Sequence, residues 1–143
     1  MPEFFFTASE FHFGVPVKII EKYIPDPELV SILENLMKDK KLYKDMNLTL
    51  SDLARHTRIP RTALSLLINK HYKKNFYDFI NRLRIDEVKR QIESSPTEIN
   101  ILQSALNSGF KSKTTFNACF KRYENMTPSE FRKMVQGEPL RTK

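Results

Sequence analysis

Two short runs of this chain carry side chains suited to binding rather than packing. They are Pro60-Arg61-Thr62-Ala63-Leu64-Ser65-Leu66-Leu67-Ile68-Asn69 and Ser112-Lys113-Thr114-Thr115-Phe116-Asn117-Ala118-Cys119-Phe120. At helical spacing Leu64, Leu67 and Ile68 form an inward face, leaving Arg61, Thr62, Ser65, Leu66 and Asn69 outward. In the second run Phe116 and Phe120 turn inward, and Lys113, Thr114, Asn117 and Ala118 turn outward. Cations, hydroxyls and carboxamides along a helix face can neutralise an anion and exchange hydrogen bonds with it. No serine-histidine-aspartate or cysteine-histidine arrangement accompanies them, and there is no glycine-rich phosphate loop. His12, His56 and His71 lack metal-ligand spacing and read as solvated histidines. The single cysteine, Cys119, excludes an internal disulfide and a cysteine zinc cluster, and beside core phenylalanines it reads as a small buried hydrophobe. No catalytic residue, metal or cofactor is expected, and the chain is not expected to be an enzyme.

The elements that position these runs form a repeat. Leu50-Ser51-Asp52-Leu53-Ala54, Arg58-Ile59 and the run from Pro60 correspond to Ile101-Leu102-Gln103-Ser104-Ala105, Gly109-Phe110 and the run from Ser112. Lys111 is the one inserted residue. After it Leu64 matches Phe116, Ile68 matches Phe120, Asn75 matches Thr127 and Phe79 matches Phe131. A repeat of about fifty residues with two short helices each is a duplicated supersecondary unit, and helices joined by so short a turn make a helix-turn-helix. Between the copies lies Asn75 to Glu93, with Phe76, Phe79, Ile80, Leu83, Val88 and Ile92 at helical spacing and an Asn75 cap. Arg82, Arg84, Asp86, Glu87, Lys89 and Arg90 fall largely off that stripe. Ser94-Ser95-Pro96 ends the helix.

Helix starts are legible elsewhere too. Asp26 caps a helix with Pro27 at its first position, running through Leu29, Ile32, Leu33 and Leu36 to about Lys40. Leu42 to Asn47 reads as a loop from which Leu42 and Leu48 reach the core. Thr49 to Asp52 and Thr127-Pro128-Ser129-Glu130 are capped starts, and Asn100 and Ser112 are further caps. Gly109 takes a turn position that needs positive φ, where the first copy has Arg58. The architecture expected is all-α, about seven helices, with a non-helical N-terminal extension. Its divisions are an extension over 1–25, a first helix-turn-helix over 49–74, a linker helix over 75–94, a second helix-turn-helix over 99–125, and a final helix over 127–137. Within the extension Phe11, Phe13, Val15 and Val17 alternate with polar or turn residues as a strand would. That extension is either a remnant of an upstream sensory domain or self-association arm, or a loose tail whose aromatics fold back.

The 143 residues carry a net charge of +7 and a pI near 9.5, which suits an anionic partner. No apolar run reaches the roughly 18 residues of a membrane helix, and Met1-Pro2-Glu3 lacks the basic start of a secretory signal. A cytoplasmic location without membrane contact is the resulting expectation.

Gly109-Phe110-Lys111-Ser112, Phe116, Phe120-Lys121-Arg122-Tyr123 and Met126-Thr127-Pro128-Ser129-Glu130-Phe131-Arg132 together resemble the signature of AraC-type transcriptional regulators. Asn75 to Arg84 resembles the start of that family's linker helix, and the likeness spans residues 27 to 134. It implies a bacterial, sequence-specific regulator that sets two recognition helices, beginning at Pro60 and Ser112, into successive major grooves of double-stranded DNA. Grooves on one DNA face recur every ~34 Å, so a rigid linker can serve both from one chain. Base contacts are then expected from Arg61, Thr62, Ser65, Asn69, Lys113, Thr114 and Asn117. Phosphate contacts are expected from Arg58, Lys70, Lys73, Lys74, Lys111, Ser112, Lys121 and Arg122. Leu66 and Ala118 stand where the family often carries arginine or glutamine. They raise the alternative of a protein-interaction or sensor-output module with weak or no specific DNA binding.

Overall fold

Side-chain caps set where the helices begin. Asp26 accepts from the Glu28 amide at 2.9 Å, and Pro27 follows, so helix α1 runs Pro27–Asn35. The structure, a computed structural model, describes residues 11–12, 15–16 and 26–138. Thr49 and Asp52 exchange backbone and side-chain hydrogen bonds in a reciprocal box that starts α2, Leu50–Thr57. Helix α3 is Arg61–Tyr72, and α4, Phe76–Ser94, begins where Asn75 accepts from the Asp78 amide at 2.8 Å. Asn100 caps α5 (Ile101–Asn107), Ser112 caps α6 (Lys113–Glu124), and a Thr127–Glu130 box opens α7 (Pro128–Val135). Among the described residues these are seven α-helices, as the repeat and the caps predict.

Of the stretch Phe11 to Val17 expected as one strand, the described residues 11–12 and 15–16 form two strands of two residues each. These strands, β1 (Phe11–His12) and β2 (Val15–Pro16), pair antiparallel with His12 opposite Val15. A lone strand would leave its backbone groups unmatched, and each of these two supplies the other's partner. The remainder of the 1–25 extension, including the aromatics read as folding back, lies outside the described residues.

The described chain forms two compact units. The first holds α1, α2, α3 and the opening turn of α4. Past α1 the chain makes a π-helical turn over Leu36–Lys40, which Lys41 ends at φ 47. Val30, Leu33, Met37, Leu48, Leu53, Ile59, Phe76 and Phe79 are buried in this unit. Helix α3 adds Ala63, Leu64, Leu66, Leu67 and Ile68. Leu66, expected outward, is 1% exposed. At 100° per residue these five positions cover an arc of about 200°, twice the stripe of a one-sided surface helix. Burying each of these leucine and isoleucine side chains contributes about 1.5–3 kcal/mol.

The second unit holds the segment 42–47, the remainder of α4, and α5, α6 and α7. Its core is Ile85, Val88, Ile92, Ala105, Phe110, Phe116, Cys119, Phe120 and Phe131. Phe110–Phe116, Phe116–Phe120 and Phe120–Phe131 stack as successive tilted or edge-on pairs with centroids 5.3, 5.7 and 5.7 Å apart. In the segment 42–47 the residue that reaches the core is Tyr43, 3% exposed, rather than Leu42, which is half-buried. Leu48 is buried as expected.

Candidate nucleic-acid interface

In the first unit α2 and α3 are joined by Arg58, Ile59 and Pro60. Ile59 is buried, while Arg58 and Pro60 are exposed. Arg58 sits in the left-handed region at φ 59, the positive angle its place in the repeat predicts. The unburied arc of α3 carries Arg61, Thr62, Ser65 and Asn69; Arg61 is exposed and the other three are half-buried. Asn69 Nδ2 donates to the Ser65 carbonyl at 3.0 Å, which orients the carboxamide along the helix. A shallow depression of about 150 Å³ opens between Leu50, Arg61, Thr62 and Ser65. Lys70 and Lys73 are exposed at the end of α3, with Lys73 left-handed at φ 56; Lys74 is half-buried.

The second unit repeats this arrangement on its own scaffold. Lys113, Thr114 and Asn117 are exposed on α6, as are Ala118, Lys121 and Arg122. Ser112 Oγ accepts from the Thr115 amide at 3.2 Å and pairs with Thr115 Oγ1, so any phosphate contact at Ser112 falls to its backbone. Lys111 is exposed just before it. A groove of about 410 Å³ runs beside Lys113, Asn117 and Lys121 and is walled by Ile101, Leu102 and the Thr127–Ser129 start of α7. Arg122 lies over the Tyr123 ring at 4.9 Å and donates to its hydroxyl at 2.9 Å. In repeat register Lys121 stands where α3 has Asn69, so it shares the polar arc with Lys113 and Asn117 rather than standing apart from it.

Two sets stand out among the basic residues. Lys44, Arg55, Arg82, Lys89 and Arg90 are committed to carboxylates: Lys44 to Glu87, Arg55 to Asp52, Arg82 to Asp86 and Glu124, Lys89 to Glu124, and Arg90 to Glu87. Among the described residues no carboxylate pairs with Arg58, Arg61, Lys70, Lys73, Lys111, Lys113 or Lys121. These uncommitted cations flank or lie on the polar arcs of α3 and α6. A cation without an internal partner keeps its full charge for an anionic one.

Sequence reading missed the polar cluster between α4 and the segment 42–47. Arg84 and Glu87, expected off the apolar stripe, are 9% and 5% exposed. Arg84 donates from Nε to the Tyr43 carbonyl at 2.7 Å, from Nη2 to the Asp45 carbonyl at 2.8 Å, and from Nη1 to Asn81 Oδ1 at 3.3 Å. The Tyr43 hydroxyl donates to Glu87 at 3.0 Å, and Arg90 closes on the same carboxylate. Burial pushes the Tyr43 hydroxyl pKa up, with Glu87 adding to it, and burial pulls that of Arg84 down. Burial alone would raise the pKa of Glu87, but hydrogen bonds from Arg90, Gln91 and Tyr43 outweigh it and hold the carboxyl at about 2. One signal was available: Arg84 lies four residues from both Ile80 and Val88, on the apolar register itself. Ile85, also absent from the expected stripe, is fully buried, and Leu83 is only half-buried.

A helix-turn-helix domain family model matches residues 53–134. The chain is 29% identical over 92 residues to the melibiose operon regulatory protein of Escherichia coli strain K12, covering 64% of this chain and 30% of that protein. It is 31% identical over 88 residues to the raffinose operon transcriptional regulatory protein RafR of Pediococcus pentosaceus, covering 61% and 31%. The chain thus spans about a third of the length of the curated relatives it matches. Among solved structures, the C-terminal domain of the two-component response regulator yesN from Fusobacterium nucleatum superposes with a TM-score of 0.62 at 25% identity, covering 73% of this chain and 98% of that one. A transcriptional regulator from Chromobacterium violaceum, of the AraC-type DNA-binding-domain-containing proteins, superposes with a TM-score of 0.64 at 22% identity, covering 76% and 93%. No described helix is long and apolar enough to cross a membrane.

Proposed function

This chain belongs to the AraC-type helix-turn-helix family, and from that premise we propose that it is the double-stranded DNA-binding part of a transcriptional regulator. Each unit offers one recognition helix, α3 in the first and α6 in the second, to a major groove. The observation that carries this reading is the matched pair of polar arcs. Arg61, Thr62, Ser65 and Asn69 occupy on α3 the positions that Lys113, Thr114, Asn117 and Lys121 occupy on α6, opposite buried faces at Leu64 and Phe116. Arginine suits guanine O6 and N7, asparagine suits adenine N6 and N7, and threonine offers a hydroxyl and a methyl.

Arg58, Lys70, Lys73, Lys74, Lys111 and Arg122, with the Ser112 amide, supply phosphate contacts that position the helices without reading sequence. Lys121 can serve either purpose, since it stands at the edge of the polar arc. The chemistry is recognition and not catalysis, in keeping with relatives that are regulators. A DNA partner also accords with a cytoplasmic site of action. The relatives' greater length, with a structural neighbour that is the C-terminal domain of a response regulator, accords with an upstream sensory segment in the whole protein. Selection of bound duplexes from a randomised library tests the proposal. Enrichment of one bipartite sequence is the expected result, and recovery of unenriched DNA favours an interaction module instead.

A further inference from the structure

The two helix-turn-helix turns are held in different ways. In the first unit Arg58 and Pro60 are exposed, and a left-handed arginine at φ 59 is accommodated. In the second, Ser108, Gly109 and Phe110 are all buried, and Gly109 takes φ 110, a region that side chains seldom adopt. A Cβ built on Gly109 would overlap the Tyr43 carbonyl oxygen and the Arg84 Nε. The turn is therefore pressed against the hydrogen bond that Arg84 makes to Tyr43. Arg84 also holds Asp45 and Asn81, so its planar fork fixes the segment 42–47 and α4 on one side of the turn. On the other side Phe110 enters the core edge-on to Phe116, and the next residues are Lys111 and the Ser112 cap. The direction in which α6 leaves the turn is set by this stack.

We propose that Arg84 is a positioning residue for DNA reading by α6, acting through the Tyr43 carbonyl and the Gly109 turn on Lys113, Thr114 and Asn117. The proposal rests on the DNA-binding reading above. It assigns to α6 an alignment that α3, with its open turn, obtains without such a clamp. A lysine cannot reproduce the fork, because its single ammonium cannot span both carbonyls with Arg84's geometry.

The test uses the whole 143-residue chain and a randomised duplex library, at a temperature where circular dichroism shows each variant folded. Arg84→Lys is expected to relax base preference only in the half-site that Asn117→Ala also relaxes, and to spare the half-site that Arg61→Ala relaxes. Affinity for the wild-type consensus duplex should fall roughly ten-fold, the scale of one misaligned bidentate contact. Backbone amides of residues 110 to 115 should exchange faster, while those of α2 and α3 should not. Unchanged preference in the α6 half-site, or equal relaxation of both halves, overturns the proposal. Should Arg84→Lys fail to fold, Asn81→Ala removes only the 3.3 Å arm and must speed exchange at the same amides; no change there also overturns it. If wild-type protein enriches no sequence, the DNA reading fails, and the amide exchange still decides whether the clamp holds the turn.

Discussion

The Arg82 guanidinium lies 2.9 Å from the Glu124 carboxylate, and that pair fastens the C-terminal end of α6 to α4. Lys89 reaches the other Glu124 oxygen, also at 2.9 Å, and Arg82 lies 5.6 Å from the centroid of the neighbouring Tyr123 ring. In the first unit the equivalent residue is Tyr72, whose hydroxyl donates to Glu34 at 3.0 Å while its ring lies on Phe79. The same position in each repeat therefore anchors the C-terminal end of α6 by charge and of α3 by a ring and hydroxyl. The Glu124 side chain is only 14% exposed, so its removal strips the part-covered Lys89 of its carboxylate and leaves Arg82 with Asp86 alone. Glu124→Ala should lower stability by about 1–2 kcal/mol in urea titration at low salt. The loss should shrink with added salt, and an unchanged midpoint at both salt levels would contradict this anchoring.

Acid sensitivity should centre on Glu87. Its folded pKa of about 2 lies below the ordinary 4.5, so the folded state binds its proton less readily than the unfolded state. The stabilisation is complete above the unfolded pKa and is lost as pH falls from about 4.5 through about 2. Its size at neutral pH is about 2 kcal/mol, allowing for the exposed position of Arg90. Glu87→Gln should flatten this part of the stability-versus-pH curve. A variant curve parallel to wild type between pH 5 and 2 would assign the acid loss to other carboxylates.

Arg58→Gly should stabilise the first unit by up to about 1 kcal/mol. The left-handed φ of 59 costs a non-glycine residue energy that glycine does not incur. Thermal melting reads the change directly. DNA affinity should fall in the same variant only where Arg58 touches phosphate, so the two measurements separate backbone strain from charge.

Helix boundaries and the duplication were legible because caps and periodicity act locally. Asp26, Thr49, Asn75, Asn100, Ser112 and Thr127 each bond an amide two or three residues away. The positive φ at Arg58 and Gly109 was likewise readable from the turn position they share in the repeat, which glycine marks in the second copy. What eluded local reading depends on chain segments distant in sequence. Arg84 is buried because carbonyls 39 and 41 residues away meet it. Leu66 is buried because α3 is enclosed over more than half its circumference, which a single-face periodicity does not anticipate. Tyr43 sat in a stretch read as a loop, and only its contact with Glu87 and Arg84 shows its role.

Binding should depend steeply on salt. The uncommitted cations and the helix-start amides can neutralise about six to ten phosphates. Releasing that many counterions costs about 10³–10⁵ in affinity between roughly 50 and 200 mM salt. Fluorescence anisotropy on a short duplex across that range provides the slope, and a nearly flat response would exclude groove docking by both units.

The two recognition helices should read DNA unequally. On α3, Arg61 is exposed at the first helical position, and Asn69 is tied to the Ser65 carbonyl, so this arc begins with a fork able to bind guanine bidentately. On α6 the matching residues are Lys113 and Lys121, two exposed ammonium groups flanking Asn117, with only a methyl at Ala118. A bidentate pair discriminates between bases by about 1–3 kcal/mol, whereas an ammonium acts mainly as a point charge. Arg61→Ala should therefore relax base preference in one half-site. Lys113→Ala should weaken binding to all sequences and lower the salt slope by about one. Lys121→Ala distinguishes the two roles its position allows, behaving like Lys113→Ala if it meets phosphate and altering preferred bases if it reads them. Library selection with wild type and the three variants gives the comparison. A changed consensus for Lys113→Ala with an unchanged one for Arg61→Ala would place the stronger reader on α6.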